Sequence, residues 1–373
     1  MRILHISKYY FPYIGGVENI CKYLVDNAGD NECAVVCFNE GRSDLTERVD
    51  DIQVYRVGSW VNLSRQALSP TYFRVLRKAI REFHPNIIQL HWANPFPAAV
   101  LMTMLPKDVK LVIHWHMDII GQSKIYPLIR PLEKRLLKRA DRIVVTSPLY
   151  RDGSKPLQSY REKVRVVPNA FDKEMFDRMY DERQIAKTRA LYGGKKIVFF
   201  VGRHIPYKGL SYLLEAERLV RNDCIFVIAG SGPLTESLKA SCHSKRVRFV
   251  GRLSDEQLVW HHYAASVFAF PSITKNEAFG VALAEAMYCH TPAVTFTIEG
   301  SGVNWVNING QTGIEVPNKD VKGLAAAIDR LLGDNNLSQQ YAEAAHQRAL
   351  QNFTIPMMVN EMNNVYNELY EKV

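Results

Sequence analysis

The stretch SVFAFPSITKNEAFGVALAEAM, residues 266–287, contains the pattern that decides the fold. It begins with a short apolar run typical of a buried strand, continues through a polar loop and ends in an apolar helix. A buried strand that leads into a helix is the unit from which helix-covered parallel sheets are built. Two acids, Glu277 and Glu285, stand in the loop and in the helix. Packing requires neither of them, so both are candidates for binding a ligand.

The same alternation of buried runs and helices occurs throughout the chain. In the first half, apolar runs lie at 2–6, 33–38, 52–57, 87–91, 110–116, 142–147 and 164–168, with helical stretches near 16–28, 70–83, 94–104 and 125–139. The charge-dense segment 169–194 has no strand pattern and is interpreted as a connection. Apolar runs then resume at 195–202, 224–230, 247–251, 266–272 and 291–296, with helices near 209–221, 233–242, 255–263, 279–289 and 320–332. The pattern predicts two doubly wound α/β domains, followed by an amphipathic helix at the C-terminus.

Length and composition are those of a globular protein with two domains. The 373 residues exceed one ordinary core, and 47% hydrophobic with 23% charged residues argues against wholesale disorder. No window approaches the roughly 20 apolar residues of a membrane span. The first apolar run is broken by Lys8 and Pro12 and is expected to be a buried strand, not a signal peptide. Six cysteines without CxxC spacing disfavour zinc or a disulfide framework, so a reduced, cytosolic compartment is expected.

The net positive charge of the chain lies entirely in its first half. Residues 1–168 contain 25 Lys and Arg against 16 Asp and Glu, whereas residues 169–373 contain 22 of each kind. Basic residues alternate with apolar ones in the segment 124–142. This pattern suits a helix lying on an anionic membrane surface, and equally an ordinary amphipathic helix with a solvated basic rim.

Ligands of open parallel sheets collect beyond the carboxyl ends of the strands, so the residues after each strand are candidates. Gly15 and Gly16 follow the first strand, where glycines let backbone N–H groups approach an anion at a helix start, although a plain tight turn fits as well. The GxGxxG fingerprint is missing, which disfavours a nicotinamide dinucleotide site. In VGRHIPYKGL, Arg203 and Lys208 precede a helix start and can form a metal-free diphosphate clamp. The alternative is a solvated basic loop, and no GxxxxGK[ST] motif of an ATPase is present.

The acid pair lies at the same edge of the second predicted sheet. Glu277 is placed at the loop tip, beside the backbone N–H groups of Phe279, Gly280 and Val281 at the positive end of the helix. Glu277 can accept hydroxyls of a sugar, and Glu285 can accept the hydroxyl pair of a ribose. The alternatives are a helix-start acid for Glu277 and a buried acid with a satisfied neighbour for Glu285.

Several histidines are weaker candidates. His91, at the end of a strand, lines an acceptor site or simply packs. Asp118, two residues after His116, is a base or a helix-start acid. The pair His261-His262 lies within a predicted helix and is expected at its surface.

Together these motifs resemble the retaining, nucleotide-sugar-dependent glycosyltransferases of family four. The acid pair matches the E-x7-E region, and the other matching motifs occur in the family's order: PYIGGVEN, HWHMD, VPNAFD, VGRHIPYKG, VIAGSGP and FVGRLSDEQL. The resemblance covers essentially the whole chain. It implies a GT-B fold of two Rossmann-like domains facing across a cleft. Residues 1–168, with the helix 355–373 crossing back, would bind the acceptor, and residues 169–354 would bind the nucleotide sugar.

The resemblance also implies a role for each candidate. Arg203 and Lys208 would hold the diphosphate and support the leaving group. Glu277, with the amides of Phe279, Gly280 and Val281, would bind the donor sugar. Glu285 would bind the ribose, and Gly15 and Gly16 would bind the phosphate. Gly232 and Arg252 would lie near the base. His116 would face the sugar near the reacting carbon, in preference to His114 on the same face of its strand.

The implied activity is retaining transfer of a hexosyl residue from a nucleotide-diphosphate sugar to a glycan acceptor. Family habit favours GDP-mannose over UDP-hexoses. The positive charge of the first domain suits a lipid-linked acceptor at an anionic membrane face, in polysaccharide or lipopolysaccharide biosynthesis, and the alternative is a soluble acceptor. The nucleotide sugar is a co-substrate, and no metal, other cofactor or nucleic-acid partner is expected. The enzyme is expected in the cytoplasm, peripherally at the inner face of the membrane. The alternatives are a nucleotide-sugar epimerase or hydrolase of the same fold, an oxidoreductase, and a non-catalytic sugar-binding protein.

Overall fold

Two separate sheets organise the chain in the computed structural model, which describes residues 1–63, 66–119 and 126–370. The chain divides into two compact units. The first comprises Met1–Pro168 and the C-terminal segment from Ile355, and the second comprises Asn169–Thr354.

The first unit is built on an eight-stranded sheet. Its strands are β1 (Arg2–Ile6), β2 (Glu32–Asn39), β3 (Leu45–Val49), β4 (Ile52–Gly58), β7 (Ile87–Trp92), β8 (Lys110–Trp115), β9 (Arg142–Val145) and β10 (Val164–Val166), and a separate hairpin is formed by β5 (Val61–Leu63) and β6 (Gln66–Leu68). The order across the sheet is β10-β9-β8-β7-β1-β2-β4-β3. Every pairing is parallel except that of β3 with β4 at the edge. The helices are α1 (Gly16–Asp26), α2 (Tyr72–Phe83), α3 (Pro95–Met104), α4 (Tyr126–Arg139) and α5 (Pro148–Gly153), with a 3₁₀ segment at Lys155–Lys163.

The second unit contains a six-stranded, entirely parallel sheet. Its strands are β11 (Lys196–Val201), β12 (Cys224–Ala229), β13 (Val247–Gly251), β14 (Val267–Phe270), β15 (Ala293–Phe296) and β16 (Gly313–Val316). Their order is β13-β12-β11-β14-β15-β16, which is the strand order of the Rossmann fold. The helices are α6 (Lys173–Met179), α7 (Glu182–Leu191), α8 (Leu210–Glu217), α9 (Thr235–Ser241), α10 (Asp255–Ala264), α11 (Val281–Tyr288), α12 (Val303–Val306), α13 (Val321–Gly333) and α14 (Asn335–Asn352), with a 3₁₀ turn at Pro206–Lys208.

The apolar runs of the sequence become the buried strands of these sheets. All six residues of β12 and all four of β14 are buried, because helices cover both faces of a parallel sheet. The prediction of two Rossmann-like α/β domains is therefore confirmed. The segment 169–194, interpreted from sequence as a connection, instead contributes α6 and α7 to the second unit.

The C-terminal helix α15 (Ile355–Asn367) packs on the first unit, as predicted. It buries Met358, Met362, Val365 and Tyr366. The Tyr366 hydroxyl donates to the side-chain oxygen of Gln89 on β7. Just beyond the helix, Glu368 accepts from Arg142 at 3.0 Å and Arg165 at 2.8 Å. These contacts fasten the end of the chain to the first sheet.

None of the helices in the described residues has both the length and the apolar character needed to span a membrane.

Candidate functional site

The second sheet has a topological switch point between β11 and β14, where the strand order reverses. The chain leaves β11 in one direction and β14 in the other, so the loops after these strands form a crevice at the carboxyl edge, which is where sheets of this kind bind ligands. The loop after β11 carries Arg203 and Lys208, and the loop after β14 carries Glu277. Three of the predicted residues therefore meet at one place in the fold.

The two loops are in backbone contact at Gly209. This residue has a φ of +66°, and a Cβ added to it would lie 2.0 Å from the carbonyl oxygen of Pro271. The amide of Ile273 donates to the carbonyl of Tyr207 at 2.9 Å. Only glycine permits both the left-handed conformation and the close approach. The contact brings Lys208 within reach of the β14 loop.

Lys208 and Glu277 form an ion pair between Nζ and Oε2, and the Ser272 hydroxyl donates to the same oxygen at 3.1 Å. The two side chains are only 13% and 11% exposed. Burial acts to lower the pKa of Lys208, but the adjacent Glu277 carboxylate together with Tyr207 outweighs it, so the net pKa is raised above its ordinary value. The pair is therefore a fixed buried charge pair. Sequence reasoning placed both residues at this edge but did not pair them.

Arg203 lies at the rim of this crevice and is exposed to solvent. Its positive charge acts to lower the pKa of Lys208, although less strongly than Glu277 raises it. The cations of the predicted clamp are thus near each other but differ in burial. Lys208 is held by Glu277, whereas Arg203 is exposed to solvent.

The start of α11 lies next to Glu277. Gly280 caps this helix with a φ of +92°, and the buried Phe279 ring packs edge-on against Phe353 with centroids 5.3 Å apart. The Ser301 hydroxyl donates to the carbonyl of Glu277, which ties the loop down from its other side. The first amides of a helix have no partner within it, so the N–H group of Val281 lies at a positive helix end beside the ion pair.

Glu285 lies one turn further along α11, with its side chain 17% exposed. Its Oε2 is 3.6 Å from Nε2 of His262 on α10, whose side chain is completely buried. The expectation that His261 and His262 lie at a helix surface is wrong, since both are buried. The cause is that α10 packs against α6, α7, α11 and β11 together.

Gly232 and Arg252 follow the next two strands. The amide of His204, after β11, donates to the carbonyl of Ser231 at 3.0 Å, and Gly230 donates to Gly251 at 2.7 Å. A Cβ at Gly232 would lie 2.5 Å from the carbonyl oxygen of His204, so this close packing of loops requires glycine. Arg252 is exposed next to the second of these contacts.

The glycine pair of the first unit lies at the start of α1, as predicted. Gly15 caps the helix and Gly16 is its first residue. The carboxylate of Glu18 folds back over this end, such that a Cβ on Gly15 would lie 2.2 Å from Glu18 Oε2. An anion binding here has to displace that carboxylate.

The first unit also buries four histidines at the carboxyl side of its sheet. His5, His91 and His114 lie on β1, β7 and β8, and His116 follows β8. His91 contacts His116 through Nδ1 and Nε2 at 2.9 Å, and contacts His5 through Nε2 and Nδ1 at 3.3 Å. The rings of His114 and His116 stack 4.1 Å apart, which places both on one face.

Burial makes these histidines neutral at physiological pH. It lowers the pKa of His5 and of His116 to about 3, and it holds the pKa values of His91 and His114 well below the ordinary range. His116 thus presents a neutral imidazole rather than a cation. Sequence reasoning identified His116 and His91 but not the chain of ring contacts that extends to His5.

Two groups in the described residues have ligand atoms close enough to hold a metal ion: His5, Cys21 and His91, and His91, His114 and His116. Both groups depend on His91. Each of its ring nitrogens already contacts another imidazole at hydrogen-bond distance, so binding a metal would break one of these contacts. The arrangement therefore fits a hydrogen-bonded histidine chain better than a cation site.

Asp118 has a structural environment. Its Oδ1 accepts from the Trp115 indole at 2.9 Å and from the Ser154 hydroxyl at 2.6 Å, and its amide donates to the Tyr150 hydroxyl oxygen at 2.6 Å. The residue is buried, and these bonds secure the segment that carries His116.

Solved structures identify the fold of the chain. An Anabaena protein, HepE, in complex with UDP and glucose superposes with a TM-score of 0.80 at 20% identity, covering 99% of this chain and 100% of HepE. WaaG, a glycosyltransferase involved in lipopolysaccharide biosynthesis, superposes with a TM-score of 0.73 at 14% identity, covering 97% and 99% of the two chains. The fold is that of the GT-B glycosyltransferases.

Family models and sequence relatives identify the family of the chain. The family models "Glycosyltransferase Family 4" and "Glycosyl transferases group 1" match residues 14–175 and 181–348. O-antigen chain mannosyltransferase C of Escherichia coli is 30% identical over 100% of this chain and 99% of its own. The D-rhamnosyltransferase WbpZ of Pseudomonas aeruginosa is 31% identical over 95% and 92%. The chain belongs to glycosyltransferase family four, as the sequence motifs predicted, and it is a glycosyltransferase.

Proposed function

We propose that this glycosyltransferase is retaining and metal-independent, and that it transfers a hexosyl residue from a nucleotide-diphosphate sugar bound at the switch point of the second unit. The observation that carries the proposal is the buried Lys208–Glu277 pair, set between an exposed arginine and a helix N-terminus. Cations and helix amides bind the diphosphate, and a carboxylate binds the sugar, so the crevice contains the elements that a nucleotide sugar requires.

The diphosphate is assigned to Lys208 and Arg203. The Lys208 ammonium group has three N–H donors, and one of them bonds Glu277, which leaves two for phosphate oxygens. Arg203 is exposed, and its planar guanidinium can bind two phosphate oxygens at once. When the sugar–phosphate bond breaks, negative charge grows on the leaving nucleotide, and these fixed positive groups stabilise it.

The sugar is assigned to Glu277 and the start of α11. Lys208 and Ser272 both contact Oε2 of Glu277, which leaves Oε1 for a sugar hydroxyl. The amides of Phe279, Gly280 and Val281 supply donors beside it. This leaves Glu277 as a binding group rather than a nucleophile, so we infer transfer on one face of the sugar with retention instead of the double displacement of two-carboxylate glycosidases.

The ribose and base are assigned to the surrounding loops. Glu285 is partly exposed on α11 and can accept the two ribose hydroxyls. Gly232, on a loop bonded to the β11 loop, and Arg252, beside a residue bonded to the loop of Gly232, border the base. The roles that the family resemblance implies for Gly15, Gly16 and His116 in the first unit remain predictions.

We further propose GDP-mannose as donor and a lipid-linked glycan as acceptor in surface-polysaccharide assembly. Two relatives that match over nearly their full length are an O-antigen chain mannosyltransferase and a D-rhamnosyltransferase. A GDP-mannose-dependent phosphatidylinositol monomannoside mannosyltransferase is 26% identical over 76% of this chain. The competing donor is a UDP-hexose, since HepE binds UDP and glucose.

Membrane contact through α4 completes the proposal, with the enzyme at the inner membrane face. Leu128 on this helix is 80% exposed. The exposed basic residues of the helix are Arg130, Lys134, Arg135 and Lys138. Lys124 and Ile125, at the start of the predicted membrane segment, lie outside the described residues. An apolar side chain among cations suits an anionic lipid surface.

A thermal-shift titration with GDP, UDP, dTDP and ADP, alone and as sugar conjugates, tests the function. A ligand at 100 times its dissociation constant stabilises by about 2.7 kcal/mol, which is readily measured. We expect one base to raise the melting temperature, and the shift to be lost in Arg203→Ala. The matched control is Arg252→Ala, which weakens binding of the base without abolishing it. Absence of a shift with every nucleotide would refute the donor site.

A further inference from the structure

A buried histidine stands directly behind the acid that we assign to the ribose. His262 on α10 has no exposed surface, and its ring lies among Phe176, Phe199 and Phe268 at centroid distances of 5.8, 5.2 and 5.5 Å. Neither ring nitrogen has a hydrogen-bond partner within the described parts of the chain. Buried polar groups are nearly always bonded, because an unpaired one forfeits its hydration without compensation. The unbonded ring nitrogens of His262 therefore indicate a hydrogen-bond partner that forms in another state of the protein, such as with ligand bound.

The adjacent histidine makes the contrast plain. His261 is also buried, but both of its ring nitrogens are bonded, Nδ1 to the carbonyl of Gln257 at 2.6 Å and Nε2 to the Tyr192 hydroxyl at 2.9 Å. The fold thus satisfies one buried histidine of α10 fully and leaves the next one open.

The acidic group facing His262 is Glu285, whose Oε2 lies 3.6 Å from Nε2. That separation is just beyond a hydrogen bond, and a movement of about 0.6 Å closes it. The Glu285 side chain is 17% exposed, so its carboxylate has His262 on its buried side and solvent on the other. A ligand that binds from the solvent side meets a carboxylate with a proton donor behind it.

We propose that His262 is a positioning residue for nucleotide binding, which donates its Nε2–H to Glu285 while Glu285 accepts the 2′- and 3′-hydroxyls of the ribose. This inference rests on the proposed function. A carboxylate that accepts two hydroxyls must hold one rotamer, and a donor fixed by three aromatic rings selects that rotamer. His262 therefore contributes to the preference for a ribonucleotide over a deoxynucleotide.

Isothermal titration tests the proposal with GDP and UDP, each compared with its 2′,3′-dideoxy analogue. In His262→Phe, which suits the aromatic surroundings but lacks the donor, the ribonucleotide that binds the wild type should bind about tenfold more weakly, as expected for loss of one hydrogen bond to a charged group. The dideoxy analogue should bind unchanged. His262→Gln, whose side-chain amide can donate from a similar position, should restore most of the loss.

The control is His261→Phe, which removes two hydrogen bonds from the same helix. It should lower the melting temperature while leaving the ratio of ribonucleotide to dideoxynucleotide affinity unchanged. A wild type that binds neither GDP nor UDP would refute the proposed donor, GDP-mannose, and its competitor, a UDP-hexose. A wild type that discriminates as expected, with the same ratio in His262→Phe, would overturn only the role of His262.

A second measurement needs no substitution and so does not depend on the folding of a variant. In wild-type protein carrying ¹⁵N-histidine, the bound ribonucleotide should shift the His262 Nε2 resonance, and the dideoxy analogue should not. An Nε2 resonance that responds equally to both ligands, or to neither, would overturn the proposal.

Discussion

Removing one member of the buried Lys208–Glu277 pair is predicted to destabilise the second unit strongly. Glu277→Ala leaves an ammonium group, with a side chain 13% exposed, without its counter-charge. Breaking a buried pair on one side typically costs about 3–5 kcal/mol, and the remaining exposure places this case near about 3 kcal/mol. For a unit of this size, that corresponds to a fall in melting temperature of about 6–12 °C.

The assay is urea unfolding monitored by circular dichroism, together with turnover measured at 25 °C, where the variant remains folded. The double variant Lys208→Met/Glu277→Met should recover most of the lost stability, because apolar residues of similar volume often replace a buried pair without loss. It should not recover turnover. Stability and activity are thereby separated within one set of proteins.

The control is the surface pair of Lys195 and Asp223, which are 42% and 71% exposed and 2.7 Å apart. Lys195→Met should change the unfolding free energy by less than about 1 kcal/mol. The reasoning would be refuted if Glu277→Ala cost no more than this control, or if the double variant were less stable than Glu277→Ala. Retained turnover in Glu277→Ala would instead refute the assignment of the site.

Three further predictions concern pH, backbone conformation and the membrane. The pKa of His116 is about 3 in the folded chain and near 6.5 in the unfolded chain. Between these pH values the unfolded chain binds more protons, so the stability of the folded chain is complete above pH 6.5 and falls as the pH drops towards 3. Near pH 5 this residue lowers the free energy of unfolding by about 2 kcal/mol. In His116→Gln, the free energy of unfolding measured with urea should therefore fall less steeply as the pH is lowered. Gly209→Ala, which forces a Cβ to within 2.0 Å of a carbonyl oxygen, should lower the melting temperature more than Gly310→Ala, where φ is also positive but the surrounding space is open. Replacing three α4 cations with serine should abolish sedimentation with anionic vesicles, at about 1 kcal/mol for each charge, whereas three exposed cations of the second unit should be replaceable without effect. The α4 set is Lys134, Arg135 and Lys138, and the control set is Arg218, Lys239 and Lys245.

Local patterns in the sequence carried most of the fold. Buried strands of a parallel sheet are continuous apolar runs, and the runs predicted for β11 to β15 each overlap the observed strand. The elements that escaped prediction lack that signal. The edge strand β3, with sequence LTERV, is mostly polar because it lies at the rim of its sheet, and β16, with sequence GIEV, is interrupted by Glu315 and only partly buried at its centre. The long helix α14 is rich in Ala, Gln and Asn, so no apolar stripe marks it.

The position of the candidate site residues at the carboxyl edge could be predicted from the sequence, but their contacts could not. Residues that follow strands could be assigned to the carboxyl edge, because parallel strands all end there. Pairing Lys208 with Glu277 required the knowledge that β11 and β14 are neighbours, which depends on strand order and not on any local pattern. The burial of His262 likewise depends on four elements packing around α10.

The carboxyl edges of the two sheets differ in electrostatic character, and this difference indicates which unit binds the donor and which binds the acceptor. The edge of the second sheet holds a fixed ion pair and an exposed arginine, whereas that of the first holds imidazoles kept neutral by burial. A leaving nucleotide diphosphate gains negative charge and is stabilised by cations. A sugar hydroxyl is uncharged and can be bound by neutral donors and acceptors, which need no counter-ion in a buried setting. Because the cations at the edge of the second sheet suit the diphosphate, and the neutral imidazoles of the first suit uncharged hydroxyls, we infer that donor binding belongs to the second unit and recognition of acceptor hydroxyls to the first.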